Sequence, residues 1–197
     1  MVDKSELRVG VLSLQGGFEA HLEALRHFEF VNSKKVSSSK DLKDIDCLII
    51  PGGESSVFLK LIDNDLKKSL VESGLPIFGT CAGLILLAKS VLKPNQDSLG
   101  LIDIDVERNA YGRQLDSFES SELVWSKTKE KADFIGVFIR APKITRVGPE
   151  VEVLLEERGQ PVLVKQGKYF AASFHPELNK KDQSVHRLFI DAVIPAR

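Results

Sequence analysis

The chain reads as an α/β protein of three layers: a mostly parallel central sheet, helices on both faces, and a small antiparallel extension. Three observations predict this. Residues 8–14, 46–50 and 76–78 are β-rich apolar runs, each halted by a glycine-bearing loop. A helical pattern follows each loop, and strands that alternate with helices build parallel sheets. The second half holds short β-type segments parted by Gly and Pro, which suits antiparallel strands. With 197 residues, 43% hydrophobic and 28% charged, the size predicts a single domain spanning residues 1–197.

Taken in order, Val9, Val11, Leu12 and Leu14 make the first strand, closed by Gln15-Gly16-Gly17. Phe18, Leu22, Leu25 and Phe28 then recur at helical spacing, with Glu19, Glu23 and Arg26 on the opposite side. Phe30-Val31 and Lys35-Val36 suggest a short second strand, and residues 39–43 a short helix. Residues 46–50 form a continuous apolar strand, stopped by Pro51-Gly52-Gly53-Glu54-Ser55. Residues 57–63 and 65–73 read as two helices. Residues 75–89 read as a buried strand, a tight turn at Gly79-Thr80-Cys81-Ala82-Gly83, and an apolar helix. Residues 99–108, 117–123, 133–139, 151–156, 161–165 and 168–173 are the short β-like segments. Val185, Leu188, Phe189 and Ala192 mark a C-terminal helix, with Pro195 beyond its end.

Composition excludes several functions. A net charge of −1 argues against a general nucleic-acid binder. No apolar run approaches the roughly 20 residues that span a bilayer, and the polar start lacks a signal region. The two cysteines, Cys47 and Cys81, have no spacing that suggests a disulfide framework or a zinc site. A cytoplasmic protein with free thiols, and with neither metal nor cofactor, is expected.

The chemistry centres on Cys81. Gly-x-Cys-x-Gly shares the grammar of a nucleophile elbow, in which a sharp strand-to-helix turn lifts the nucleophile above the sheet. A lone cysteine is ordinarily a small core residue, but the glycines two before and two after it shift the balance to a nucleophile. A nucleophilic thiol needs a base. Of the four histidines, His21, His27 and His186 lie on helices and are expected to be solvated surface residues. His175 follows a strand and precedes Pro176, which disfavours helix. It therefore falls at a strand's carboxyl end, where functional groups of parallel sheets collect. Glu177, two residues on, can orient its ring. Gly52 and Gly53 leave backbone N–H groups bare for an oxyanion. Arg108 and Arg140 each offer a fork for a carboxylate or a structural ion pair.

Several motifs carry a family resemblance. They are Val9-Gly-Val-Leu-x-Leu-Gln-Gly16, Ile49-Ile-Pro-Gly-Gly-Glu-Ser-Ser56, Gly79-Thr-Cys-Ala-Gly-Leu-Ile-Leu-Leu-Ala88, Arg108-Asn-Ala-x-Gly-Arg-Gln114, Phe138-Ile-Arg-Ala-Pro142 and Phe174-His-Pro-Glu-Leu178. Together they closely resemble the glutaminase subunits of glutamine-hydrolysing pyridoxal 5′-phosphate synthases, within the class I (triad) glutamine amidotransferases. The resemblance implies a flavodoxin-like fold and hydrolysis of L-glutamine to L-glutamate and ammonia. It implies ammonia delivery to a synthase (lyase) partner in a hetero-oligomeric complex for vitamin B6 synthesis. It further implies Cys81, His175 and Glu177 as the catalytic triad, and Gly52, Gly53, Glu54, Arg108, Ile139 and Arg140 as the glutamine site. Gln15, Gly53 and Ala82 would serve oxyanion binding and activation. The alternative is the glutaminase of another amidotransferase, such as imidazole-glycerol-phosphate synthase.

Overall fold

The computed structural model describes residues 6–108 and 117–194. Residues 109–114 of the arginine-rich motif, and Pro195, lie outside the described residues. The first half follows the alternation read from the sequence: β1 (Leu7–Leu12), α1 (Phe18–Leu25), β2 (Val31–Val36), a 3-10 turn (Ser39–Asp44), β3 (Cys47–Ile50), α2 (Ser55–Leu61), α3 (Asn64–Glu72) and β4 (Ile77–Thr80). Then come α4 (Ala82–Leu87), β5 (Ala88–Leu92), β6 (Ile102–Glu107), β7 (Ser117–Ser120), β8 (Leu123–Trp125), β9 (Gly136–Ile139) and β10 (Lys143–Val147). The chain closes with β11 (Glu152–Glu157), β12 (Gln160–Gln166), β13 (Tyr169–Ala172) and α5 (Ser184–Val193).

The main sheet has the order β2-β1-β3-β4-β13-β12-β11-β8. β2, β1, β3, β4 and β13 run parallel. β12, β11 and β8 continue it antiparallel. Two small sheets, β10-β6-β5 and β7-β9, stand apart from it. The sheet alternates apolar residues between its faces, as the two-residue period requires. Val9, Val11, Ile49 and Phe78 pack with Leu25, Phe28 and Phe189 of the α1 and α5 side. Leu12, Leu48, Ile50 and Ile77 pack with Phe58, Leu66, Leu70 and Leu84 of the α2, α3 and α4 side. Phe58, Phe78 and Phe189 are wholly buried, each such side chain contributing about 1.5–3 kcal/mol. Among the described residues, no helix is long and apolar enough to cross a membrane.

Three strands differ from the reading of the sequence. The helix after Cys81 ends at Leu87, and β5 begins at once rather than the helix running to Lys89. Every residue of α4 is buried, so no change of periodicity marks its end. Its last carbonyls are satisfied from outside: Leu99 N–H donates to Leu86 O at 2.7 Å and Leu101 N–H to Leu87 O at 2.9 Å. β8 and β10 are also additional, the first only three residues long, the second lying between Pro142 and Gly148. Two histidine expectations fail as well. His21 is 0% exposed and His186 1%, because α1 and α5 turn them into the sheet rather than to solvent. His27 is exposed as expected.

Candidate active site

β4 and β13 are adjacent, with Thr80 opposite Ala172. Parallel neighbours end at one edge of the sheet, so whatever follows each strand meets there. Cys81 follows β4 and donates its N–H to Ala172 O at 2.8 Å. His175 lies just past β13, tied by its N–H to Val137 O of β9 at 2.8 Å. A 3-10 turn, Pro176–Leu178, then turns Glu177 back under the ring.

The turn at Cys81 is strained. Its φ is 50° and ψ −102°, a region costly for a residue with a β-carbon. The flanking glycines make the turn possible. A β-carbon at Gly83 would stand 2.1 Å from Ile50 O, and one at Gly79 2.5 Å from the Gly83 backbone. Cys81 Sγ lies 3.9 Å from Ile139 O, and its side chain and that of His175 line the same cleft. His175 Nδ1 is 2.7 Å from Glu177 Oε1. A carboxylate only accepts, so Nδ1 carries the hydrogen and Nε2 is left to meet the thiol.

Electrostatics reinforce this geometry. Burial favours the neutral His175 ring, but its hydrogen bonds with Cys81 and Glu177, and the Glu177 charge, prevail and raise its pKa to about 10. Burial also opposes ionisation of Glu177, which is 5% exposed. The imidazoles of His21 and His175 overcome that and hold its pKa down to about 2. Cys47 is different: burial in the core pushes its thiol up to about 12, leaving it inert.

An open cleft stands over the thiol. Gly53, Glu54, Ser55 and Arg108 form one side; Ile85, Ile139, Arg140 and His175 complete it around Cys81. Arg108 Nη2 donates to Glu54 Oε1 at 2.7 Å, and Arg108 Nη1 to Gln96 Oε1 at 2.7 Å. Ser55 Oγ donates to the same Gln96 oxygen at 3.0 Å. Gly52 sits beneath the imidazole instead of in the wall: a β-carbon there would lie 2.3 Å from His175 Cε1. Gln15 holds the loop by its carboxamide. Its Nε2 donates to Glu54 O at 3.1 Å, and its Oε1 accepts from Glu54 N–H at 3.4 Å. Gly17 N–H adds a bond to Gly52 O at 3.1 Å. Ala82 is fully buried behind Cys81 at the head of α4.

A triad of cysteine, histidine and glutamate at one sheet edge, under a cleft with a carboxylate and two guanidinium groups, is the equipment of an acyl-transferring site. Residues 11–195 match the model of the SNO glutamine amidotransferase family. The chain belongs to the SNO glutamine amidotransferase family. Pyridoxal 5′-phosphate synthase subunit PdxT of Koribacter versatilis is 47% identical over 95% of this chain and 96% of its own. The subunit of that name from Thermotoga neapolitana is 44% identical over 95% of this chain and 100% of its own. A solved structure described as a glutamine amidotransferase superposes with a TM-score of 0.85 at 44% identity, covering 94% of this chain and 98% of that one.

In this amidotransferase the structure also brings forward residues the sequence did not single out. Ser55 and Ile85 line the cleft, and Gln96 braces Arg108 from outside any motif. His21, Thr80 and His186 form a buried polar group behind Glu177. Ser55, Thr80 and Ile85 lie within the quoted motifs, and that membership was their only signal in the sequence. Among the described residues, no cluster of His, Cys, Asp and Glu has the makings of a metal site.

Proposed function

We propose that the chain hydrolyses L-glutamine to L-glutamate and ammonia through a thioester on Cys81, and passes the ammonia to a pyridoxal 5′-phosphate synthase partner. One observation carries this reading: the Cys81, His175 and Glu177 chain opens into a cleft whose wall presents Glu54, Arg108 and Arg140. Free glutamine carries an ammonium, a carboxylate and an amide. The first suits Glu54, the second suits the guanidinium forks, and the third then falls towards the thiol.

With the proton already held on His175, the Cys81 thiolate attacks the side-chain amide carbon. Backbone N–H groups of Gly53 and Ala82 receive the oxyanion, with Gln15 holding the Gly53–Glu54 peptide in place. The protonated His175 then gives its proton to the departing nitrogen, so the C–N bond breaks and ammonia leaves. Water, deprotonated by His175, attacks the thioester; the C–S bond breaks, glutamate leaves and the thiol is restored. Glu177 keeps the ring in the tautomer both steps need.

The names of the relatives support vitamin B6 synthesis as the destination. Ammonia protonates in water, which favours a docked, hetero-oligomeric synthase over free release. The test is ammonia release from glutamine with and without that synthase subunit. Stimulated release together with pyridoxal 5′-phosphate formation is expected; no pyridoxal 5′-phosphate from glutamine in the assembled mixture overturns the reading. Release coupled instead to an imidazole-glycerol-phosphate synthase would install the alternative.

A further inference from the structure

Glu177 has two carboxylate oxygens, and the triad uses one. Oε1 takes the His175 hydrogen at 2.7 Å. Oε2 is buried and has no hydrogen-bond partner within ordinary reach. The polar group facing it is His21 Nε2, at 3.4 Å, with both side chains almost fully buried. His21 Nε2 also stands 3.1 Å from Thr80 Oγ1, on the residue before the nucleophile. On its other side, His21 Nδ1 is 3.0 Å from His186 Nε2. His186 is in turn buried, edge-on to Phe78, and its Nδ1 has no partner.

These contacts select one tautomer. A lone pair on His21 Nε2 would point at a carboxylate oxygen in a dry interior, where repulsion is weakly screened. A hydrogen there points favourably at both Oε2 and Thr80. Nδ1 of His21 must then accept, so His186 Nε2 donates, and the orphan atom is the His186 Nδ1 lone pair. Both rings are neutral in this arrangement, which burial also favours. His21 thus sits between the strand end that carries the nucleophile and the carboxylate that aims the base.

We propose that His21 is a positioning residue: its Nε2–H fixes Glu177 against Thr80 and so holds His175 in line with Cys81. His21 touches neither the thiol nor the cleft, so its effect is on turnover and not on substrate binding. The proposal rests on the glutaminase reading for its kinetic form, but not for its geometric form. Two measurements separate them.

The first needs neither glutamine nor a partner: alkylation of Cys81 by iodoacetamide at neutral pH, followed by peptide mass, with Cys47 as the inert internal control. The second is ammonia release from glutamine by the assembled complex. The variants are His21→Leu, His21→Asn and His21→Gln. Gln can set its amide N–H near the position of Nε2, whereas Asn reaches only that of Nδ1. His21→Leu and His21→Asn should slow alkylation and lower kcat about tenfold or more, the scale on which hydrogen-bond partners one step behind a reacting group act, with KM for glutamine unchanged. His21→Gln should recover most of both rates. If the leucine variant does not fold, the two amides still decide with His21→Met as the packing control: methionine fills the glutamine volume without an N–H and should be as slow as asparagine, whereas a methionine variant as fast as glutamine would overturn the proposal. Equal rates for Asn and Gln, a leucine variant as fast as the wild type, or a loss confined to KM would overturn the proposal. Wild-type chain that alkylates at Cys81 yet releases no ammonia in the complex would overturn the glutaminase reading, and alkylation would still decide the role of His21.

Discussion

His186 is enclosed by α5, the sheet and His21, and is 1% exposed. Burial, with His21 beside it, pushes its pKa down to about 3, against about 6.5 for an unfolded histidine. Between those values the unfolded chain binds a proton that the native ring refuses. Stability therefore falls as pH falls through that window. One such proton is worth ~1.4 kcal/mol per pH unit once the unfolded ring is fully protonated, and since that ring is half protonated at its own pKa, a descent from about pH 6.5 to about pH 4.5 costs roughly 2.3 kcal/mol from His186 alone. His21, lowered by burial as well, adds in the same direction. Glu177 does not contribute in this interval. Its pKa is depressed to about 2, so its stabilisation is lost only as pH falls from the ordinary carboxylate range towards that value. A loss of this size is a large share of the ~5–15 kcal/mol that holds a domain together. Urea unfolding at a series of pH values between 7 and 4.5, at constant ionic strength, measures it. His186→Leu should flatten the slope by about one proton. A wild-type stability that is level across the interval, or an unchanged slope in the variant, refutes the reasoning.

Four other outcomes are expected. Gly52→Ala places a β-carbon 2.3 Å from His175 Cε1; the ring must move, and ammonia release should fall by about 10²-fold or more with far-UV circular dichroism unchanged. Glu177→Gln removes the acceptor that sets the His175 tautomer, and turnover should drop by roughly 10²- to 10⁴-fold, read as kcat with bound glutamine affinity retained. Gln96→Ala releases Arg108 Nη1 from its 2.7 Å bond; KM for glutamine should rise about tenfold, the value of one hydrogen bond to a charged group, while alkylation of Cys81 proceeds as before. Gly83→Ala drives a β-carbon to 2.1 Å from Ile50 O, backbone that cannot give way, so soluble yield and melting temperature should both fall.

What could be read in the sequence were the features whose cause is local. Gly79 and Gly83 announce the elbow because the clash they avoid involves their own turn and the neighbouring strand. Pro176 announces the end of the strand that presents His175, since proline restricts the residue before it. The continuous apolar runs at β1 and β3 announce a sheet covered on both faces. The unread parts have distant causes. His21 looks like a polar residue on an amphipathic helix, and nothing within α1 distinguishes it from His27. Its burial depends on Thr80 and His186, 59 and 165 residues away. Gln96 is one polar residue in a loop until Arg108 folds back onto it. β5 is hidden because α4 is buried on all sides, so its pattern runs without a break into the strand.

The pairing of β4 with β13 has a consequence for the making of the protein. Adjacent strands lie about 4.8 Å apart, and that single step joins Thr80 to Ala172, and so the thiol to its base. Everything between them in the chain must be synthesised, and β13 must find its slot, before the two can meet. A chain stalled or cut before Tyr169 carries the thiol without its base. With Cys81 and His175 in their proposed roles, the edge of the sheet is a completeness check: hydrolysis then requires nearly the whole polypeptide to be present and folded.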